Sequence, residues 1–159
     1  NHTTRQLRKN PAMKPSYILA ALVMAWLPTV PAWAQNTITA ASAQEPGAKK
    51  MPSGMVYRSL KEGTGASPTS SDKVKVHYRG TLPDGKEFDS SYKRNEAIDF
   101  PLNRVIACWT EGVQQMKVGG RAKLTCPPAT AYGDRGAGGV IPPNATLLFE
   151  VELLAIHGK

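Results

Sequence analysis

Few side chains in this chain of 159 residues are equipped for bond-making chemistry, and those few are poorly spaced for it. His77 and His157 fall on strand-like stretches with no cysteine or carboxylate at metal-ligand spacing, so both read as surface histidines. Ser90 and Ser91 lack the G-x-S-x-G context of a nucleophile elbow, and Cys108 has no obvious histidine partner. The run Gly133 to Gly139 is followed by Val140-Ile141-Pro142-Pro143 instead of Lys-Ser and a helix, which makes it a flap or turn and not a phosphate cradle. What remains is aromatic. Tyr78, Phe88, Phe100, Trp109, Tyr132 and Phe149 stand at the edges of predicted elements. Singly, each reads as core. Together with the lone carboxylate Asp89 beside Phe88 and a phenol in a glycine-rich loop, they describe an apolar hollow carrying very few polar groups, the composition of a ligand pocket.

The elements that must position these residues can be traced from periodicity. Trp109, Val113 and Met116 recur at i, i+4 and i+7 in the stretch from Val105 to Met116, while Glu111, Gln114 and Gln115 take the other face, so the spacing predicts a short helix with Thr110 as its cap. Two or three turns are marginal in water, so the helix must lie on something larger. Strands supply it. Val74, Val76, Tyr78, Gly80 and Leu82 alternate with Lys75, His77, Arg79 and Thr81, the pattern of a half-buried antiparallel strand. Pro83-Asp84-Gly85 turns the chain, which returns through Glu87-Phe88-Asp89. Shorter strands are expected at Met55 to Leu60 and Ala97 to Phe100, then Arg121 to Cys126, and a last one from Thr146 to Ile156 with Leu147, Phe149, Val151 and Leu153 inward. One short helix against about five antiparallel strands makes an α+β domain.

The formal charge of +8 invites a nucleic-acid reading, but Arg5, Arg8, Lys9 and Lys14 lie in the first 34 positions, which hold no acid. Without those four, 16 basic residues face 12 acidic ones, about +4, spread along the chain as a solvated surface would be. From Met13 the chain runs through Lys14, an apolar stretch from Tyr17 to Leu27, and Ala32-Trp33-Ala34, so residues 13–34 read as a secretory signal peptide. Residues 1–12 read as upstream leader sequence and 35–52 as a flexible tether too polar to order itself, leaving 53–159 as the folded domain. Export bears on the only two cysteines. Cys126 ends the alternating run Ala122, Leu124, Cys126 on the buried face, and Cys108 opens the helix that should pack there. They are expected to be bonded or nearly touching, with two inert buried thiols as the alternative.

Several motifs in order resemble one family. Val76-His77-Tyr78-Arg79-Gly80, Asp84 to Ser91, Val105-Ile106 with Trp109-Thr110-Glu111-Gly112, Met116 to Leu124, Ala131-Tyr132-Gly133, Ile141 to Thr146 and Leu148 to Leu153 resemble the FKBP-type peptidyl-prolyl cis-trans isomerases over roughly residues 50–157. The resemblance implies a twisted, half-open antiparallel sheet wrapped around a short helix, with the site between them. It implies catalytic roles for Tyr78, Phe88, Asp89, Trp109, Tyr132 and Phe149, with Trp109 as the floor of the pocket. Phe100, Val105 and Ile106 join the substrate-binding wall, with Ile98, Val140 and Ile141 as further contacts. The Ile106 N–H and the Tyr132 hydroxyl would hydrogen-bond a ligand. Departures exist: Ile98 stands where an aromatic is common, Ala137 replaces a loop histidine, and Ala107-Cys108 replaces Pro-Gly ahead of the tryptophan.

The activity so implied is rotation of X-Pro bonds in exported polypeptides, assisting their folding, by a monomer that needs no cofactor and no metal. The expected partners are proline-containing unfolded chains, with macrolides of the rapamycin and tacrolimus type as inhibitors and the bacterial periplasm as the location. The competing class is a module that holds unfolded chains without turning them over. A nucleic-acid-binding sheet lacks a basic patch and conflicts with export.

Overall fold

The computed structural model describes residues 32–158. The signal-peptide reading therefore lies outside the described residues except for its last three, and residues 1–12 lie wholly outside them. Seven antiparallel strands form one sheet: β1 (Ala48–Lys50), β2 (Val56–Lys61), β3 (Lys73–Thr81), β4 (Glu87–Ser90), β5 (Ile98–Pro101), β6 (Arg121–Cys126) and β7 (Leu147–Ile156). The order across the sheet is β1-β2-β6-β7-β3-β4, with β5 also paired to β3. Among the described residues two α-helices accompany it, α1 (Ala32–Ala43) and α2 (Ala107–Val113).

The long strand β3 organises the sheet because it pairs with three neighbours, β4, β5 and β7. Its alternation is visible in burial: Val74, Val76, Tyr78 and Gly80 are covered while Lys73, Lys75 and Arg79 are exposed. Facing them, Leu147, Phe149, Val151 and Leu153 of β7 are buried. The β3–β4 turn closes through hydrogen bonds from the Leu82 N–H to Lys86 O (2.8 Å) and from the Gly85 N–H to Leu82 O (2.9 Å). Gly85 sits at φ +90, where a residue with a Cβ is strained.

Helix α2 covers one face of the sheet with Cys108, Trp109, Gly112 and Val113, and Met116 just beyond it is buried as well. Thr110 is not its cap. Ile106 occupies that position without a side-chain bond, and Thr110 lies inside the helix, where its Oγ1 donates to Leu102 O at 2.5 Å. An uncapped helix of 7 residues needs tertiary anchors, and a covalent one is present: Cys108 and Cys126 form a disulfide with Cα atoms 5.7 Å apart, joining the first turn of α2 to the end of β6.

Residues 35–52, read from composition as a flexible tether, instead continue α1 and include β1. Composition misled because the segment is held by docking, not by burial of its own apolar surface. β1 adds to the sheet edge by pairing with β2, with Lys49 opposite Tyr57, and Glu45 ties the intervening turn down through ion pairs to Arg58 of β2 (2.8 Å) and Lys123 of β6 (2.7 Å). This extra edge strand, together with the return stretch Glu87–Ser90 that pairs as β4, takes the count from about five strands to seven.

Candidate active site

Between α2 and the sheet lies an open hollow of about 470 Å³, lined by Tyr78, Phe88, Asp89, Phe100, Arg104, Val105, Ile106, Trp109, Tyr132 and Phe149. Every wall has a separate origin in the chain. β3 supplies Tyr78, β4 supplies Phe88 and Asp89, β5 supplies Phe100 and β7 supplies Phe149. The entry to α2 brings Val105, Ile106 and Trp109, and the glycine-rich loop brings Tyr132.

Trp109 is the hub of the aromatic packing. Its ring meets Tyr78, Phe100 and Phe149 edge to face, at centroid separations of 5.1, 5.4 and 5.4 Å. Phe88 in turn meets Phe149 edge to face at 5.5 Å. Such T-shaped contacts set the positive edge of one ring against the negative face of another and fix both orientations. Trp109 is only 4% exposed, yet it borders the open hollow together with Asp89 and Tyr132. Its Nε1 is buried without a hydrogen-bond partner among the described residues. Gly80 lies directly beneath the Phe88 and Phe149 rings. A Cβ there would stand 2.5 Å from Phe88 Cζ and 2.8 Å from Phe149 Cε1, so both rings use the space that glycine leaves.

The polar side of the hollow is a short network. The Tyr78 hydroxyl donates to Asp89 Oδ2, the Arg94 guanidinium donates to Asp89 Oδ1 at 2.7 Å and to the Tyr78 oxygen at 3.1 Å, and the Ser90 N–H reaches Asp89 Oδ1 at 2.9 Å. Partial burial pushes the Asp89 carboxyl up, but the Tyr78 hydroxyl and Arg94 outweigh it and hold the pKa below the ordinary aspartate value. Burial and the adjacent carboxylate push the Tyr78 phenol the other way, above its usual range. At neutral pH the site therefore contains a carboxylate whose lone pairs are engaged and a neutral phenol. Neither is poised to exchange protons with a substrate. The Ile106 N–H at the helix entry finds no acceptor among the described residues.

Nine residues expected in the pocket, Tyr78, Phe88, Asp89, Phe100, Val105, Ile106, Trp109, Tyr132 and Phe149, come together here. Ile98, Val140 and Ile141 do not line this hollow. Ile98 pairs with Val76 along β5, and Val140 and Ile141 line a neighbouring cavity. Two residues went unrecognised in the sequence. Arg94 lies in a polar loop where nothing in its spacing points back to Asp89, and Arg104 precedes Val105 with no pattern to mark it. The structure places both at the site, Arg94 as the partner of Asp89 and Arg104 as a wall.

An antiparallel sheet half-wrapped around a short helix, with an aromatic hollow between them, is the α+β class this domain falls in. Comparison with known proteins makes the class specific. Residues 65–154 match the family model of the FKBP-type peptidyl-prolyl cis-trans isomerases, and the chain belongs to that family. It is 56% identical over 118 residues to the FKBP-type peptidyl-prolyl cis-trans isomerase FkpA of Aeromonas hydrophila, an alignment covering 74% of this chain and 44% of that protein. The crystal structure of FkpA from Escherichia coli superposes with a TM-score of 0.74 at 48% identity, covering 77% of this chain and 57% of that one. A peptidyl-prolyl cis-trans isomerase structure from Pseudomonas syringae gives a TM-score of 0.73 at 40% identity, covering 78% and 91%. The chain spans less than half the length of the Aeromonas relative.

Proposed function

We propose that this chain accelerates rotation about X-Pro peptide bonds by binding the twisted amide non-covalently in the aromatic hollow. The observation that carries the reading is the open cavity floored by Trp109 and bordered by Asp89 and Tyr132. Rotation of an amide must break resonance across a barrier of about 18 to 20 kcal/mol, which makes the uncatalysed step slow. No bond to a heavy atom forms or breaks. A catalyst needs only to hold the twisted amide better than either planar isomer, and each 1.4 kcal/mol or so of preference is about tenfold in rate.

The twisted amide has lost its charge separation, so walls made of Tyr78, Phe88, Trp109 and Phe149 favour it over the planar forms, which leave more dipole unsolvated. In this reading the proline ring rests over Trp109, and the Ile106 N–H and Tyr132 hydroxyl hold the flanking chain. Asp89, kept ionised by Tyr78 and Arg94, orients the carbonyl and does not serve as a base. The physiological substrates are exported polypeptides whose folding waits on proline isomers. The Cys108–Cys126 disulfide supports that location, since such bonds persist in oxidising compartments.

A protease-coupled assay on a proline tetrapeptide, with and without rapamycin, tests the reading. The catalysed phase is expected to exceed the thermal rate, to vanish with rapamycin, and to fall about tenfold or more in kcat/KM for Phe88→Ala. No rate above the thermal one would refute it, and peptide binding without any acceleration would assign the chain to holding unfolded polypeptides.

A further inference from the structure

Beside the aromatic hollow lies a second cavity of about 520 Å³ that the proposed reaction leaves unused. Its walls are the β3–β4 turn, from Leu82 to Lys86, and the loop from Arg135 to Ala145. Leu82, Pro83, Ala137, Val140 and Ile141 make it apolar, while the charged groups in the lining are Asp84, Lys86 and Arg135. Val140 is 46% exposed within it. One exposed valine is ordinary, but a concave apolar surface of this size around it has the dimensions of a ligand site, about 300 to 1,000 Å³.

The two cavities share no lining residue but lie side by side along the chain on both walls. Lys86 of the second and Phe88 of the first are two residues apart, at most about 7 Å of extended chain. On the opposite side, Tyr132 of the first and Arg135 of the second are three residues apart, at most about 11 Å. A bound polypeptide in extended form advances roughly 3.3 to 3.6 Å per residue, so it passes from one hollow to the other within two to four residues.

Resting on the reading of the aromatic hollow as a proline site, we propose that the second cavity is an apolar subsite for the same polypeptide. With a proline over Trp109, it receives the side chain of a leucine, isoleucine, methionine or phenylalanine two to four residues away. The subsite selects among prolines by their neighbourhood and adds binding in the ground and transition states alike, so it acts on KM.

The test uses the full chain and a set of proline peptides that carry leucine in place of alanine at each position two to four residues before or after the proline. At one position, leucine is expected to lower KM about tenfold with kcat unchanged, and the leucine-to-alanine ratio is expected to collapse towards one in Pro83→Asp and, separately, in Pro143→Asp. A ratio near one at every position overturns the proposal, as does a preference that survives both variants. Self-association of the chain that both variants abolish would assign the cavity to a second copy and overturn it equally. Absence of turnover on the all-alanine peptide would be a failure of the isomerase reading itself, a separate result.

Discussion

At the scale of single residues, Asp89 carries the clearest consequence. Its pKa is held below the ordinary aspartate value by Tyr78 and Arg94. Between the folded pKa and the unfolded value of about 3.9, the unfolded chain binds more protons, so stability rises with pH there and the contribution is complete above about pH 5. The melting temperatures of the wild type and Asp89→Asn are therefore expected to differ most at neutral pH and to converge as the pH falls below about 4. If Asp89 orients without exchanging protons, kcat/KM of both proteins should be flat between pH 6 and 8; a bell-shaped profile lost in Asp89→Asn would contradict that role. The carboxylate and the aromatics around it were legible in the sequence because each sits in a short motif on a predicted strand or loop. Arg94 was not, because a guanidinium reaching back five residues across a polar loop leaves no periodic trace.

At the scale of elements, the site depends on how closely β3 lets two rings approach its backbone. Gly80→Ala would place a methyl 2.5 Å from Phe88 Cζ and 2.8 Å from Phe149 Cε1, so both rings must move. Overpacking of this kind costs about 1 to 3 kcal/mol. We expect Gly80→Ala to lower kcat/KM about tenfold, checked by the coupled assay, while the far-ultraviolet circular dichroism keeps its native shape. The strands of the sheet core and α2 were legible because alternation at period two and the 3.6-residue stripe of Trp109, Val113 and Met116 are strong signals. The cap of α2 was misplaced because Thr110 has the right chemistry for an N-cap but is drawn to the carbonyl of Leu102. β1 was missed for a different reason: 3 residues of Ala-Lys-Lys show no alternation, and only pairing with β2 makes them a strand.

At the scale of the whole molecule, the hollow takes all its walls from residues 78 to 149, whereas the segment of α1, β1 and Glu45 attaches at the opposite end of the sheet, β1 on β2 and Glu45 on Arg58 of β2 and Lys123 of β6. A chain lacking residues 1–50 is accordingly expected to keep kcat/KM for a short peptide within about twofold while melting a few degrees lower, the loss of two partly exposed ion pairs and one edge pairing. The disulfide matters more. It closes a loop with a separation of 18 residues, worth about 3 kcal/mol on the chain-entropy account, so Cys108→Ala with Cys126→Ala should lower the melting temperature by roughly 10 °C. Its position has a further effect. Cys108 is the neighbour of Trp109, and Cys126 leads through Pro127 and Pro128 into the loop that carries Tyr132, so one covalent strut braces the floor and the rim of the pocket together. Protein made in a reducing cytosol would start life with that strut unlatched, and its turnover should climb when dissolved oxygen or oxidised glutathione closes the bond.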